Sequence, residues 1–227
     1  MNINRNIHYF KPRKLYAAFT FLLLGLLFGL LASDTDMVGL LIFAVACLAL
    51  CIYNFWQFIK NRVSDAEIEA QKDAFLRAGQ EQAMKFFGQQ ATEEAETQPY
   101  FLGGYFFHSD MPLPRIRIGE DEKPRADACE FLALLLGTDR VYWYDRVLSL
   151  VEEEGEKQTE VFGYADIENV TVEAIRVSCQ DIKGKPVDVP CDSFTILLKD
   201  GTKMNICLAE QNNAKEIAQA LKKRMAK

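Results

Sequence analysis

Two stretches without a charged side chain decide the first part of the fold: LYAAFTFLLLGLLFGLLA at residues 15–32 and MVGLLIFAVACLALCIYNFWQFI at residues 37–59. As helices that rise about 1.5 Å per residue, they can span most or all of a hydrocarbon core roughly 30 Å thick. The four residues between them, 33–36, are polar and include two acids. This pattern predicts a helical hairpin that crosses a bilayer twice.

Basic residues flank this hairpin but are absent from its short loop. They are Arg5, Lys11, Arg13 and Lys14 before the first stretch, and Lys60 and Arg62 after the second. Because loops rich in Lys and Arg stay in the cytoplasm, we expect a multi-pass protein of the cell (inner) membrane with both termini cytoplasmic. Neither stretch contains an ionisable acid or base, so we expect an anchor rather than an ion pathway.

Charge separates the hairpin from the rest of the chain. The 227 residues carry a net charge of −6, of which residues 1–59 contribute +2 and residues 60–227 contribute −8. A part this acidic is repelled by nucleic acid and by anionic lipid headgroups, which argues against nucleic-acid binding. We predict a basic N-terminus at 1–14, the hairpin at 15–59, a stalk helix and linker at 60–98, and a cytoplasmic domain at 99–227.

Gly25 and Gly29 form a G-x-x-x-G pattern in the first apolar stretch. Small residues at this spacing allow two helices to approach closely. The partner is either the same helix of a second copy or the second span of the same hairpin, through Gly39, Ala46 or Ala49. The second alternative is favoured, because it needs no other chain.

Residues 64–90 are predicted to form the stalk helix. Ser64 followed by Glu67 is a capping-box pattern, and an irregular apolar stripe follows it. That stripe can pack on the soluble domain, pair with a second copy or lie on the membrane. The mixed, early-acidic charge argues against the membrane, because interfacial helices carry a polar face rich in Lys and Arg.

From about residue 99 the hydrophobic pattern changes to that of strands. We predict strands at residues 100–107, 130–136, 140–147, 159–164, 170–178, 194–199 and 203–208. Asp200-Gly201 between the last two predicts a tight hairpin. A final helix after Asn213 has an apolar face that includes Ile217 and Leu221.

The motifs LGTDRVY at 136–142 and YADIENV at 164–170, with the hairpin at 194–208, carry a family resemblance. Their order resembles the pleckstrin-homology (PH) superfold, in particular small PH-like domains attached to membrane hairpins in bacteria. The resemblance implies an α+β fold: a half-open β-barrel or sandwich capped by the C-terminal helix. Relatives often bind phosphoinositides through basic residues of the first hairpin loop. Here that loop offers only Arg140, so specific inositol-phosphate binding is not expected.

We find no pattern of catalytic residues. The two histidines, His8 and His108, lie far apart in the sequence, and no Cys/His group has zinc-ligand spacing. No glycine-rich phosphate loop is present. We therefore predict no enzymatic activity, no catalytic residue, no cofactor, no metal and no small-molecule substrate. The six cysteines, without paired spacing, are expected to be free thiols.

These observations favour a non-enzymatic scaffold that presents a cytoplasmic PH-like domain to another protein or to itself. The expected surface is either an exposed strand edge or the aromatic segment with Tyr100, Phe101, Tyr105 and Phe106. The alternatives are an accessory subunit of a larger membrane complex and a weak lipid-headgroup-binding module.

The basic tail has two interpretations. Its residues, which are Lys222, Lys223, Arg224 and Lys227, can contact the membrane surface or simply complement the dipole at the helix C-terminus.

Overall fold

The structure is a computed structural model that describes residues 3–11, 13–35, 37–90, 98–107, 115–152, 155–209 and 213–226. The chain divides into two compact units between Ser64 and Asp65. His108, in the segment 108–114, lies outside the described residues, and so does Lys227.

The first unit is helical. It contains α1 (Ile3–Phe10), α2 (Arg13–Thr35) and α3 (Val38–Lys60). Arg13–Ser33 and Val38–Lys60 are long and apolar enough to cross a membrane, and only 11% and 17% of their apolar windows are buried. Helices of a soluble core bury most of such a surface, so this exposure is consistent with lipid contact.

Gly25 provides the close contact between α2 and α3. A Cβ atom built on Gly25 would lie 3.1 Å from the Leu48 side chain and 3.4 Å from the Ala44 carbonyl oxygen, whereas Gly29 has nothing within 4 Å. The rings of Phe28 and Phe43 also meet edge to face at 4.7 Å. The expected contacts through Gly39, Ala46 and Ala49 are wrong, because all three residues are exposed and a Cβ atom on Gly39 would have nothing within 4 Å; α3 instead buries Ala44 and Cys47.

The second unit begins with α4 (Asp65–Gln90), which is followed, within the residues that the structure describes, by nine strands and a last helix. The strands are β1 (Tyr100–Tyr105), β2 (Ile116–Ile118), β3 (Pro124–Ala126), β4 (Ala128–Leu136), β5 (Arg140–Ser149), β6 (Gly155–Gly163), β7 (Ile167–Gln180), β8 (Pro186–Leu198) and β9 (Lys203–Leu208). A short 3-10 helix, Tyr164–Asp166, joins β6 to β7, and α5 (Ala214–Met225) follows β9.

These described strands form three antiparallel sheets. Their orders are β1-β4-β5-β6, β7-β8-β9 and the small pair β2-β3. A single bridge between Phe106 and Leu208 links the end of β1 to β9. Within the described residues no sheet closes into a barrel, so the α+β class is confirmed and the arrangement is a pair of sheets with an open side.

The main core lies between the two larger sheets. Trp143 of β5 stacks on Phe194 of β8, with ring centroids 6.5 Å apart. Ile217 and Leu221 of α5 are fully buried in the same cluster, which confirms the expected apolar face of the last helix. Asn213 occupies the N-cap position without a side-chain capping bond.

The helix α4 covers the other face of the four-stranded sheet. Its Gly79 lies directly over Phe131, and the Gln82 side-chain oxygen accepts a hydrogen bond of 3.0 Å from the Tyr144 hydroxyl. Of the three positions that the sequence left open for its apolar stripe, α4 adopts packing on the domain. It belongs to the same compact unit as the sheets.

Candidate interaction surface

The strand β6 forms an open edge of the four-stranded sheet. Gly155–Gly163 pairs with β5 along its whole length and, among the described residues, with no other strand. Residues 155–161 are all exposed, with Val161 at 41%. A strand edge of this kind presents backbone N–H and C=O groups that another strand can pair with.

The alternation of hydrogen bonds along the β5–β6 ladder determines which backbone N–H and C=O groups of β6 point to the open edge. The Tyr164 N–H donates to the Asp139 carbonyl oxygen at 3.3 Å, in the same register as the β5–β6 ladder. Because hydrogen-bonded and non-hydrogen-bonded pairs alternate in an antiparallel ladder, even-numbered residues of β6 bond to β5. The N–H and C=O groups of Lys157, Thr159 and Val161 therefore point to the open edge.

The two faces of β6 differ in chemistry. Glu156, Gln158 and Glu160 are paired with Val147, Asp145 and Trp143, whose side chains lie on the face that bounds the core. The alternate residues are Lys157, Thr159 and Val161. They lie on the opposite face of the sheet, which α4 covers over the neighbouring strand β5. One face of the edge is thus acidic, and the other carries one base and short side chains.

An open groove of about 650 Å³ adjoins the end of β6. Phe162, Leu198 and Met204 supply its apolar part. Its charged side chains are Glu160, Asp166, Lys199 and Asp200, which leaves it with an excess of two negative charges. The Asp166 and Asp200 carboxylates also accept hydrogen bonds from the Gly163 and Thr202 N–H groups, so turn geometry holds them in place.

Two further carboxyl groups extend the acidic face inward. Glu130 of β4 is 2% exposed, opposite Gly104, and the Cys207 N–H bonds to its carboxyl group. Burial, strengthened by the nearby Asp145, raises the pKa of Glu130 well above its usual range. Burial also raises the pKa of Asp145 to about 7. Neither carboxyl group is predicted from the sequence, although an acid amid the apolar run of β4 is a visible signal.

The aromatic segment differs from its expected role as a surface. Tyr105 and Phe106 are buried, at 5% and 6% exposure, while Tyr100 and Phe101 are half-buried. The Tyr105 hydroxyl donates to Glu69 of α4 at 3.1 Å, and Lys72 lies 5.2 Å from its ring centre. Because α4 covers the Tyr105 ring and Phe106 is buried beside its bridge to Leu208 of β9, these two residues are not an exposed docking surface.

The basic tail divides into two parts. Lys222 and Lys223 are exposed, whereas the Arg224 guanidinium donates to the Gly137 carbonyl oxygen at 3.2 Å. Arg224 therefore ties α5 to the β4–β5 turn.

The described residues offer little for a cofactor or a metal. They contain no group of three or more His, Cys, Asp or Glu side chains placed to hold a metal ion. All six cysteines are free thiols, as expected, and five are buried. Burial raises the pKa of Cys129 and Cys179, which disfavours the reactive thiolate.

Comparison with known proteins adds no relative. No protein family, no curated protein and no solved structure matches this chain.

Proposed function

We propose that this chain is a non-enzymatic, membrane-anchored protein whose cytoplasmic PH-like domain binds another protein along the edge of β6. The single observation that carries the proposal is the open backbone ladder at Lys157, Thr159 and Val161. Strand addition at a free edge is a common way for domains to bind extended segments, because backbone bonds supply affinity and alternate side chains supply specificity.

The PH-like assignment is supported by the order of the elements. Four strands, β1 and β4–β6, form one sheet, three later strands form the second, and the last helix packs on the core between them. The small pair β2-β3 is an insertion between the first two strands of the larger sheet. The two apolar helices supply the proposed attachment to the inner membrane, since the acidic domain is a poor ligand for anionic headgroups.

The edge β6 is a better candidate than the other sheet edge, at β7. Beyond the end of β7, Asp181 forms a bridge with Ile116, and the Ile182 N–H donates to the Ile116 carbonyl oxygen at 2.9 Å. The helix α5 packs against β7 as well. Residues 155–161 of β6 have no comparable cover among the described residues.

Site-specific photocrosslinking in native membranes tests the proposal. A benzoylphenylalanine at Val161 of the full chain is expected to give one discrete product with another protein. The matched control places the same group at Lys222, which is exposed on α5. No discrete product at position 161, or the same products at both positions, would overturn the proposal. A product that contains only two copies of this chain would overturn partner binding and show that the chain associates with itself at this edge.

A further inference from the structure

The chemistry of the two faces of β6 restricts what can pair with this edge. A strand added beside β6 places its alternate side chains next to Glu156, Gln158 and Glu160 on one face and next to Lys157, Thr159 and Val161 on the other. Cross-strand neighbours of opposite charge stabilise a pair, and like charges destabilise it.

Resting on the proposed function, we infer that the partner segment is an extended strand of another protein with Lys or Arg at alternate positions and apolar residues between them. The basic side chains lie on the acidic face of β6, and the apolar ones lie beside Thr159 and Val161. The nine residues of β6 accommodate a segment of up to about nine residues, or roughly 30 Å.

The groove at the end of β6 also favours a partner with basic side chains. Its charged groups, Glu160, Asp166 and Asp200 against the single Lys199, favour a further basic side chain. Its apolar part, formed by Phe162, Leu198 and Met204, suits the methylene stem of that side chain. One long Lys or Arg side chain can therefore use both parts of the groove.

A second copy of β6 fits this edge poorly. Antiparallel pairing of two identical strands about a two-fold axis keeps each face of the strand on the same face of the joined sheet. Glu156 and Glu160 of both copies would then share one face, while Lys157 of both copies lies on the other. Self-pairing thus gathers four acids without a base between them, which is why another, basic strand is the favoured occupant.

The binding experiment uses the full chain in detergent and a fluorescein-labelled peptide of nine residues that alternates Lys and Val. Its two controls are the same peptide with N-methyl groups on alternate backbone nitrogens and a peptide that alternates Glu and Val. We expect anisotropy to show binding at least tenfold tighter than to either control. Equal binding of the N-methylated peptide would show that charge attraction alone, without backbone pairing, explains the affinity, and would overturn the inference.

Two matched pairs of variants locate the site. Thr159→Pro removes an outward N–H without touching the bonds to β5, and we expect at least a tenfold loss of peptide affinity, while Thr159→Val keeps that affinity within twofold. Glu160→Lys is expected to weaken binding at least fivefold, and Glu216→Lys, at an exposed position of α5, less than twofold. Equal effects within either pair would place the peptide elsewhere and overturn the inference.

The outcomes separate the inference from the proposed function. A discrete crosslink at position 161 combined with equal affinity for the Lys and Glu peptides overturns the basic partner and leaves strand addition standing. Absence of both the crosslink and peptide binding overturns both.

Discussion

At the scale of single residues, Arg125 shows how a buried charge is stabilised by its partners. Its side chain is 3% exposed and lies 2.7 Å from Asp121 and 2.8 Å from Glu69. The first contact closes the β2–β3 hairpin, and the second ties that hairpin to α4. Removing one member of a buried ion pair leaves the other charged groups without compensation.

We therefore expect Arg125→Ala to lower the free energy of unfolding by about 3 kcal/mol. The control is Arg140→Ala, which removes an Arg–Asp pair of similar geometry whose side chains are 50% and 67% exposed. Exposed pairs contribute less than about 1 kcal/mol, so the control should change little. Urea unfolding followed by Trp143 fluorescence, in a Trp56→Phe background, measures both. Equal losses would show that burial does not set the value of the Arg125 pairs.

The carboxyl groups of Glu130 and Asp145 make stability depend on pH. An unfolded chain releases both protons near pH 4, whereas the folded domain holds the Asp145 proton to about pH 7 and the Glu130 proton above its usual range. Because the folded state binds more protons, the contribution of both groups to stability is fully present below pH 4; that of Asp145 is lost as the pH rises through 7, and that of Glu130 is lost as the pH rises through its raised pKa.

Glu130→Gln should therefore raise stability at pH 8 by about 1–3 kcal/mol and have a smaller effect at pH 5. The same fluorescence measurement, repeated between pH 5 and pH 8, tests this change. Glu216→Gln, exposed on α5, is the control and should leave the pH dependence unaltered. A loss of stability at pH 8 in the Glu130 variant would mean that the ionised carboxylate is required there.

At the scale of elements, the packing of α4 can be tested with two glycines of the same helix. A Cβ atom on Gly79 would lie 2.6 Å from the Phe131 ring, whereas one on Gly88 would have nothing within 4 Å. Intrinsic helix propensity favours alanine at both positions. Packing against the sheet therefore determines whether alanine stabilises or destabilises the domain at Gly79. At Gly88 helix propensity determines it.

We expect Gly79→Ala to destabilise the domain by about 1–3 kcal/mol, because Phe131 and its neighbours must move. Gly88→Ala should stabilise it by about 0.5–1 kcal/mol. Urea unfolding of both variants of the full chain in detergent measures the pair. Stabilisation by both substitutions would contradict the close packing of α4 on Phe131.

At the scale of the whole molecule, the proposed orientation follows from the position of the basic residues around the two apolar helices. We expect Ser33→Cys, exposed in the last turn of α2, to react with a membrane-impermeant maleimide in intact cells. Thr159→Cys, on β6, should react only after the membrane is permeabilised. The unsubstituted chain, whose cysteines are buried or half-buried, is the control. Labelling of Thr159→Cys in intact cells would reverse the orientation.

Much of the second unit could be predicted from local patterns. The Asp200-Gly201 turn was recognised because a tight hairpin needs a residue with positive φ, and Gly201 has a φ of 88°. The pair β2-β3 was missed, since strands of three residues are too short to show a period. The first residues of β6, 155–158, fall outside the predicted strand at 159–164 because their polar side chains resemble a solvated loop, although on an edge strand such side chains remain in water.

Two helices apolar enough to span a membrane, an α+β domain after them and the buried face of α5 can all be predicted from the sequence, because they depend on periodicity and length along the chain. That α4 covers Tyr105 and that β6 is an edge rather than a central strand emerges only from the folded chain. Both depend on which strands become neighbours, and strand order is set by packing between residues distant in sequence.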